Sequence, residues 1–242
     1  MYLRISRVAW FMFKCLVAFN WRRFVHAKNQ DALLDQDYKD WSKYVLGNFD
    51  VDLTVTGREH IPVPNRTGEE KRKLVIMSNH QSQLDIPALV MALDRRLGFV
   101  AKRELARIPI LGYFMVQVGC IFIDRSDGRG ANIVLEKAAL EMGATPLVIF
   151  PEGTRSKDGG FLPLKQGGCR LASLADAIIL PVLIQGTRNA AEARQDRTRV
   201  RKPARLRIFP VLDTRGLGEG KTAFIKIKDH LEKCWHSPND PI

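Results

Sequence analysis

Cysteine is scarce and scattered in this chain: four residues in 242, at Cys15, Cys120, Cys169 and Cys234. No two form a CxxC pair and none stands at ligand spacing from a histidine, which excludes the common structural zinc sites. A chain of this length buries enough surface to fold without disulfides, and scattered thiols suit a reducing compartment, so exposure to the cytosol is expected. Long apolar runs are missing as well. No stretch of 18 or more uncharged apolar residues occurs, which leaves no ordinary membrane-spanning helix. There is no internal repeat and no low-complexity tract. Hydrophobic residues at 45% and charged residues at 26% exclude a mainly disordered or collagen-like protein. Acid is in short supply: 26 Asp and Glu against 38 Lys and Arg leave a formal net charge of +12. Such a surface favours an anionic partner, whether lipid headgroups, phosphorylated metabolites or nucleic acid.

The N-terminal residues 1–25 read MYLRISRVAWFMFKCLVAFNWRRFV. Lys14 splits the apolar run, basic residues follow it and no small-x-small cleavage site is present, so this is not a secretory signal. On a helix, Arg4, Arg7, Lys14 and Arg22 fall at about 40°, 340°, 320° and 40°, one stripe roughly 80° wide in an otherwise apolar and aromatic surround. Such a helix suits one leaflet of an anionic membrane, with its cations at the headgroups; packing on the protein's own core is the other reading. A second helical pattern over 31–45 completes a hairpin with it. We therefore expect a docking segment over 1–50 and a single catalytic domain over 51–242.

Downstream, short apolar or β-branched runs recur at 52–56, 73–78, 97–101, 118–123, 147–150, 177–184 and 205–211. Helical patterns stand between several of them, clearest at 88–93, 130–142 and 168–175, with another at 222–234. This alternation predicts an α/β fold with a mixed, largely parallel sheet flanked by helices. The continuous apolar runs KLVIMS and PLVIF predict strands buried on both faces.

Three expected strand ends carry candidate chemistry. After 73–78 comes Asn79-His80-Gln81-Ser82-Gln83-Leu84-Asp85. His80 and Asp85 meet only if His80 sits on the turn before a helix, since five residues on a regular helix separate them by about 140°. There Asp85 can fix the imidazole tautomer and leave the other nitrogen free as a base; a capped helix with a satisfied polar turn also accounts for the pair. After 118–123 come Asp124 and Arg125, and after 147–150 come Pro151-Glu152-Gly153-Thr154-Arg155. In a parallel sheet these ends border one crevice, where guanidiniums suit a phosphate; Asp124 and Arg125 pairing with neighbours is the alternative. Lys102, at a further strand end, either faces the same crevice or is a solvated turn lysine.

Four blocks, NHQSQLD (79–85), GCIFIDR (119–125), FPEGTRS (150–156) and ILPVLIQG (179–186), stand in the order seen in the glycerolipid acyltransferases, and this chain resembles that family. The likeness is greatest to members that acylate 1-acyl-glycerol 3-phosphate. AKRELARIPILGYF and LKQGG also fit the family's connecting segments. The resemblance implies an α/β acyltransferase fold, an N-terminal two-helix membrane-docking element, an acyl-CoA or acyl-carrier-protein donor, a lysophosphatidate acceptor and no metal or other cofactor. It implies that His80 is the general base and Asp85 its orienting partner. Arg125, Glu152 and Arg155, with the adjoining Gly153 and Thr154, would bind the acceptor's glycerol phosphate, and Pro181 would shape an acyl site. Ser82 is not needed as a nucleophile. For the oxyanion, Lys102 or a backbone N–H near Gly153 is expected. The expected setting is the cytoplasmic face of a membrane.

Other acceptors, such as glycerol 3-phosphate, another lysophospholipid or an amino-acid lipid, fit the same motifs. A non-enzymatic anionic-surface binder is suggested by Arg194, Arg197, Arg199, Arg201, Lys202, Arg205 and Arg207. That cluster could grip nucleotide phosphates, an acidic carrier protein or headgroups, or be a solvated loop. Nucleic acid is not expected as the partner, because the sequence has no RNA-binding aromatic signature and NHxxxxD would be left without a role.

Overall fold

The structure is a computed structural model and describes residues 30–62, 72–109, 111–124, 126–193 and 200–236. The expected amphipathic helix over 1–25 lies outside the described residues, as do Arg125, Arg194, Arg197 and Arg199. In chain order the elements are α1 (Gln30–Asn48), β1 (Val51–Thr56), a 3₁₀ turn (Arg58–His60), β2 (Leu74–Ser78), α2 (Asp85–Leu93) and β3 (Gly98–Lys102). A second 3₁₀ turn (Arg103–Arg107), α3 (Leu111–Gln117), β4 (Ile121–Ile123), α4 (Gly128–Glu141), β5 (Leu147–Ile149) and α5 (Gln166–Leu174) follow. The chain then forms β6 (Ile178–Gln185), α6 (Thr187–Glu192), β7 (Lys202–Ile208), β8 (Leu212–Asp213) and α7 (Gly220–Trp235).

The strands form one sheet in the order β1-β7-β6-β2-β5-β3-β4, with β8 also paired to β6. The five strands β6, β2, β5, β3 and β4 are parallel, while β7 and β8 run antiparallel to β6. The mixed, largely parallel α/β sheet expected from the sequence is therefore present. Both faces are covered. Ile76, Val148, Leu180 and Val182 pack with α1, α2 and Phe114 of α3, whereas Val75, Met77, Ile149 and Ile179 pack with α4, α5 and α7. This two-sided burial is why KLVIMS reads as a continuous apolar run. Helix α1 joins the first of these cores through Leu34, Tyr38 and Leu46, across the boundary expected at residue 50. Ion pairs from Arg96 to Asp31 and Asp35, and from Lys39 to Asp94, hold it beside α2.

Two strands differ from expectation. The run 118–123 is strand only over Ile121–Ile123, because Val118 N–H still donates to Phe114 in the preceding helix and Gly119 then turns at φ +83°. The last long strand begins at Lys202 rather than Arg205, since its parallel pairing with β1 starts at Val51↔Lys202. Within it Ala204, Leu206 and Ile208 are buried while Pro203 and Arg205 are exposed. The basic cluster is thus partly the outward face of a strand near the sheet's edge.

Chain reversals set the site. After β1 at one edge, the chain enters the middle of the sheet at β2, extends to one side through β3 and β4, and returns through β5 and β6, which flank β2 on either side. Ligands in open parallel sheets collect at the carboxyl ends of strands where such reversals occur. Gly186 links β6 to α6 at φ +83°, and a Cβ there would stand 2.4 Å from the Pro203 carbonyl oxygen. Left-handed backbone and contact with main chain leave no room for adjustment. Gly186→Ala should lower unfolding free energy by about 1–3 kcal/mol, read from the urea midpoint; an unchanged midpoint would contradict the packing described.

Candidate active site

Asn79 begins the construction. Its side-chain amide donates to the Ile184 carbonyl at 2.9 Å, and its Oδ1 accepts from Ile184 N–H at 2.7 Å. These bonds extend the β2–β6 pairing by one side chain beyond the last strand residue and fix where the chain leaves the sheet. His80 is the next residue. Its Nδ1 lies 2.7 Å from Asp85 Oδ2, and that same oxygen accepts from the Gln81 and Ser82 backbone N–H groups at 2.7 and 2.9 Å. Asp85 is fully buried at the start of α2, and the hydroxyl of Thr187 donates to its second oxygen. A carboxylate surrounded by donors holds the proton of a neutral imidazole on Nδ1, which leaves Nε2 as a basic lone pair. The ring stacks on Phe150 with centroids 3.9 Å apart, and the side chain keeps 15% of its surface exposed.

Glu152 approaches the same turn from the end of β5. It is 2% exposed, and its Oε1 accepts from His80 N–H at 3.2 Å. Its Oε2 is buried without a hydrogen-bond partner. Burial pushes this carboxyl up to about 7, assisted by the neighbouring Asp85 and opposed by the donors His80 N–H and Leu162 N–H. The loop that follows is tied to the dyad: Ser156 N–H donates to the His80 carbonyl, and Gln81 Nε2 reaches the Gly159 carbonyl at 3.4 Å.

His80, Asp85 and Glu152 are therefore brought together; the other expected residues stand further out. Gly153, at φ +72°, closes a turn by donating its N–H to Phe150, so that N–H is not free for an oxyanion. Thr154 and Arg155 are exposed on the adjoining turn. Lys102 ends β3, is exposed and pairs with Glu104 at 2.9 Å. Asp124 turns to Ser126, whose N–H and hydroxyl both bind its Oδ1 and hold its carboxyl below the usual range. Pro181 is buried within β6 opposite Met77. Among the described residues, no group of three or more His, Cys, Asp or Glu is placed to hold a metal. Thr187 was not singled out from the sequence. It stands one residue past the fourth block, and neither periodicity nor spacing connects it to Asp85, 102 positions away.

A family model described as Acyltransferase matches residues 52–185. The chain belongs to the acyltransferase family. Relatives include 1-acyl-sn-glycerol-3-phosphate acyltransferase alpha of Mus musculus, 31% identical over 73% of this chain and 59% of that protein. The 1-acyl-sn-glycerol-3-phosphate acyltransferase of Helicobacter pylori is 40% identical over 46% of this chain and 48% of its own length. The chain thus spans less than two thirds of these curated relatives. The crystal structure of the 1-acyl-sn-glycerophosphate (LPA) acyltransferase, PlsC, from Thermotoga maritima shares the fold. It aligns with a TM-score of 0.69 at 23% identity, over 96% of this chain and 95% of that one.

Two groups report on the site. Thr187→Val leaves a buried carboxylate oxygen without its donor and should cost about 1–3 kcal/mol in urea unfolding, with Thr187→Ser recovering most of it. A Thr187→Ser variant no more stable than Thr187→Val would show that the hydroxyl bond to Asp85 is not what stabilises the site. Glu152 adds a pH signature. A carboxyl raised in the folded state from an ordinary 4.5 to about 7 favours the fold most below pH 4.5 and progressively less as pH rises to 7. Relative to the parent, Glu152→Gln should therefore gain stability across that interval in paired melting curves. A pH-independent difference would mean that Glu152 is not shifted.

Proposed function

We propose that this chain transfers a fatty acyl group from an acyl thioester to the free hydroxyl of 1-acyl-glycerol 3-phosphate, forming phosphatidic acid. The observation that carries this reading is the His80–Asp85 dyad at a parallel strand end, its Nε2 without a partner among the described residues. Nε2 takes the acceptor's hydroxyl proton as the oxygen attacks the thioester carbonyl. The tetrahedral intermediate then expels the thiolate, which recovers the proton from His80, so no covalent enzyme intermediate is needed. Asp85 holds the imidazole and stabilises its transient positive charge.

Arg125, Glu152 and Arg155 bind the acceptor's glycerol phosphate in this reading, assisted by Lys102. Arginine's planar fork suits the phosphate oxygens. A cavity of about 190 Å³ between the strands and helices α4 and α5 supplies apolar surface for a substrate chain. Val100, Ile123, Leu135 and Ile149 line it, and Phe150 forms part of both this wall and the stack under His80. The donor is acyl-CoA or acyl-carrier protein. The setting is the cytoplasmic face of a membrane with anionic lipids; among the described residues, no helix is long and apolar enough to cross one.

The test is thiol release by the purified full chain given lysophosphatidate and an acyl thioester. His80→Ala should lower the rate by about 10² to 10⁴. The parent should prefer lysophosphatidate to the matching monoacylglycerol, and Arg125→Ala or Arg155→Ala should erase most of that preference, a loss of about 10- to 150-fold in kcat/KM. Activity of His80→Ala within a few-fold of the parent would reject the base assignment. A parent preferring the neutral acceptor would reject the lysophosphatidate.

A further inference from the structure

The 3₁₀ turn Arg103–Arg107 and helix α3 form an exposed shelf at the edge of the sheet that carries the dyad. The turn directly follows the carboxyl end of β3, and β3 is parallel to β2, β5 and β6, whose carboxyl ends lead to His80, Glu152 and Thr187. On the shelf Ile108, Tyr113 and Val116 are 45%, 42% and 58% exposed. Tyr113 and Val116, three apart, share one face of α3, while Phe114 points inward onto Tyr38 and Trp41 of α1. The shelf is rigid. Gly112 N–H donates to the Ile108 carbonyl at 2.8 Å, and a Cβ on Gly112 would stand 2.3 Å from the Ala106 carbonyl oxygen, so helix and turn are in main-chain contact.

Its charge is net positive. Lys102, Arg103 and Arg107 are exposed against two acids, Glu104, which pairs with Lys102, and Asp124, whose charge Arg103 helps to stabilise. Arg107 therefore remains as the surplus cation of the shelf, with Arg103 shared between Asp124 and solvent, beside exposed apolar side chains. The exposed apolar residues of α4 differ in this respect. Ile133 and Leu140 are 63% and 79% exposed, but Lys137–Glu141 and Arg170–Glu136 pairs neutralise that surface internally.

We propose that this shelf is a bilayer-contact surface, its apolar residues entering the interface of an anionic membrane and Arg103 and Arg107 lying at the headgroups. Apolar side chains ringed by cations match the two layers of such an interface. The shelf packs against α1 through Phe114 on Tyr38 and Trp41. The assignment rests on the acyl-transfer reading for its reason to be here: a lipid acceptor reaches the dyad most directly where this edge meets the membrane.

The experiment is co-sedimentation of the full chain with vesicles of equal parts phosphatidylglycerol and phosphatidylcholine. The Ile108→Asp, Val116→Asp double variant should lose about ten-fold or more in partitioning. Arg103→Gln, Arg107→Gln should lose roughly five-fold per cation and show a weaker salt dependence. The control pair Ile133→Asp, Leu140→Asp should partition as the parent does. All these positions are exposed, and unchanged melting curves establish that each variant is folded. Shelf variants within two-fold of the parent, or an equal loss in the control pair, overturn the assignment. So does a shelf defect seen only in binding an acidic carrier protein, which would make the shelf a protein-docking face. Because partitioning is measured without turnover, a chain inactive on lysophosphatidate that keeps the shelf defect would reject the acyl-transfer reading and support the membrane contact.

Discussion

Asp85 has no exposed surface, and a carboxylate that deep costs several kcal/mol unless donors replace the lost water. Four do: the His80 ring, two backbone N–H groups and the Thr187 hydroxyl. This requirement shapes the region around it. The Gln81 and Ser82 N–H groups reach Oδ2 only if residues 80–84 curl around the start of α2, and the hydroxyl reaches Oδ1 only if α6 begins where β6 ends. Gly186 and the Asn79 bridge to Ile184 fix those two points. An imidazole so held loses little orientational freedom on reaction, which is one way a rigid scaffold lowers a barrier.

Glu152 shows the opposite arrangement a few ångströms away. Its carboxyl is as inaccessible as Asp85's, yet one of its oxygens has no donor. Glu152 is held near neutrality by desolvation, assisted by the charge of the neighbouring Asp85. A proton on Glu152 turns a like-charge repulsion into a neutral contact and leaves the local negative charge concentrated on the partner of His80.

Much of this was legible in the residues. Apolar runs located the long strands because central strands, buried on both faces, must be continuously hydrophobic. The five-residue spacing of His80 and Asp85 could be resolved only by a turn entering a helix, which is the geometry found. Strand order was not legible: nothing local in LVI at 147–149 says that it lies between β2 and β3. Thr187 escaped for the same reason, since its partner is brought near by a crossover and not by sequence. Nothing local marked Gly119 and Gly153 as left-handed, yet both are, and these turns shortened β4 and occupied the Gly153 N–H. Lys102 and Arg155, singled out on chemistry, are exposed where they stand.

The exposure of those cations follows from the same electrostatics that buries the dyad. A guanidinium or ammonium placed beside Asp85 would compete with His80 for the carboxylate and weaken the imidazole's hold on its proton acceptor. At the rim the cations remain hydrated, add little to stability, and are available to a polyanionic ligand that brings its own charge. Keeping the cations at the surface therefore lets the chain carry +12 without placing a competing charge beside Asp85. Substitutions of the exposed cations should alter the surface potential and its salt dependence, whereas substitutions around Asp85 should alter how the His80 ring is held.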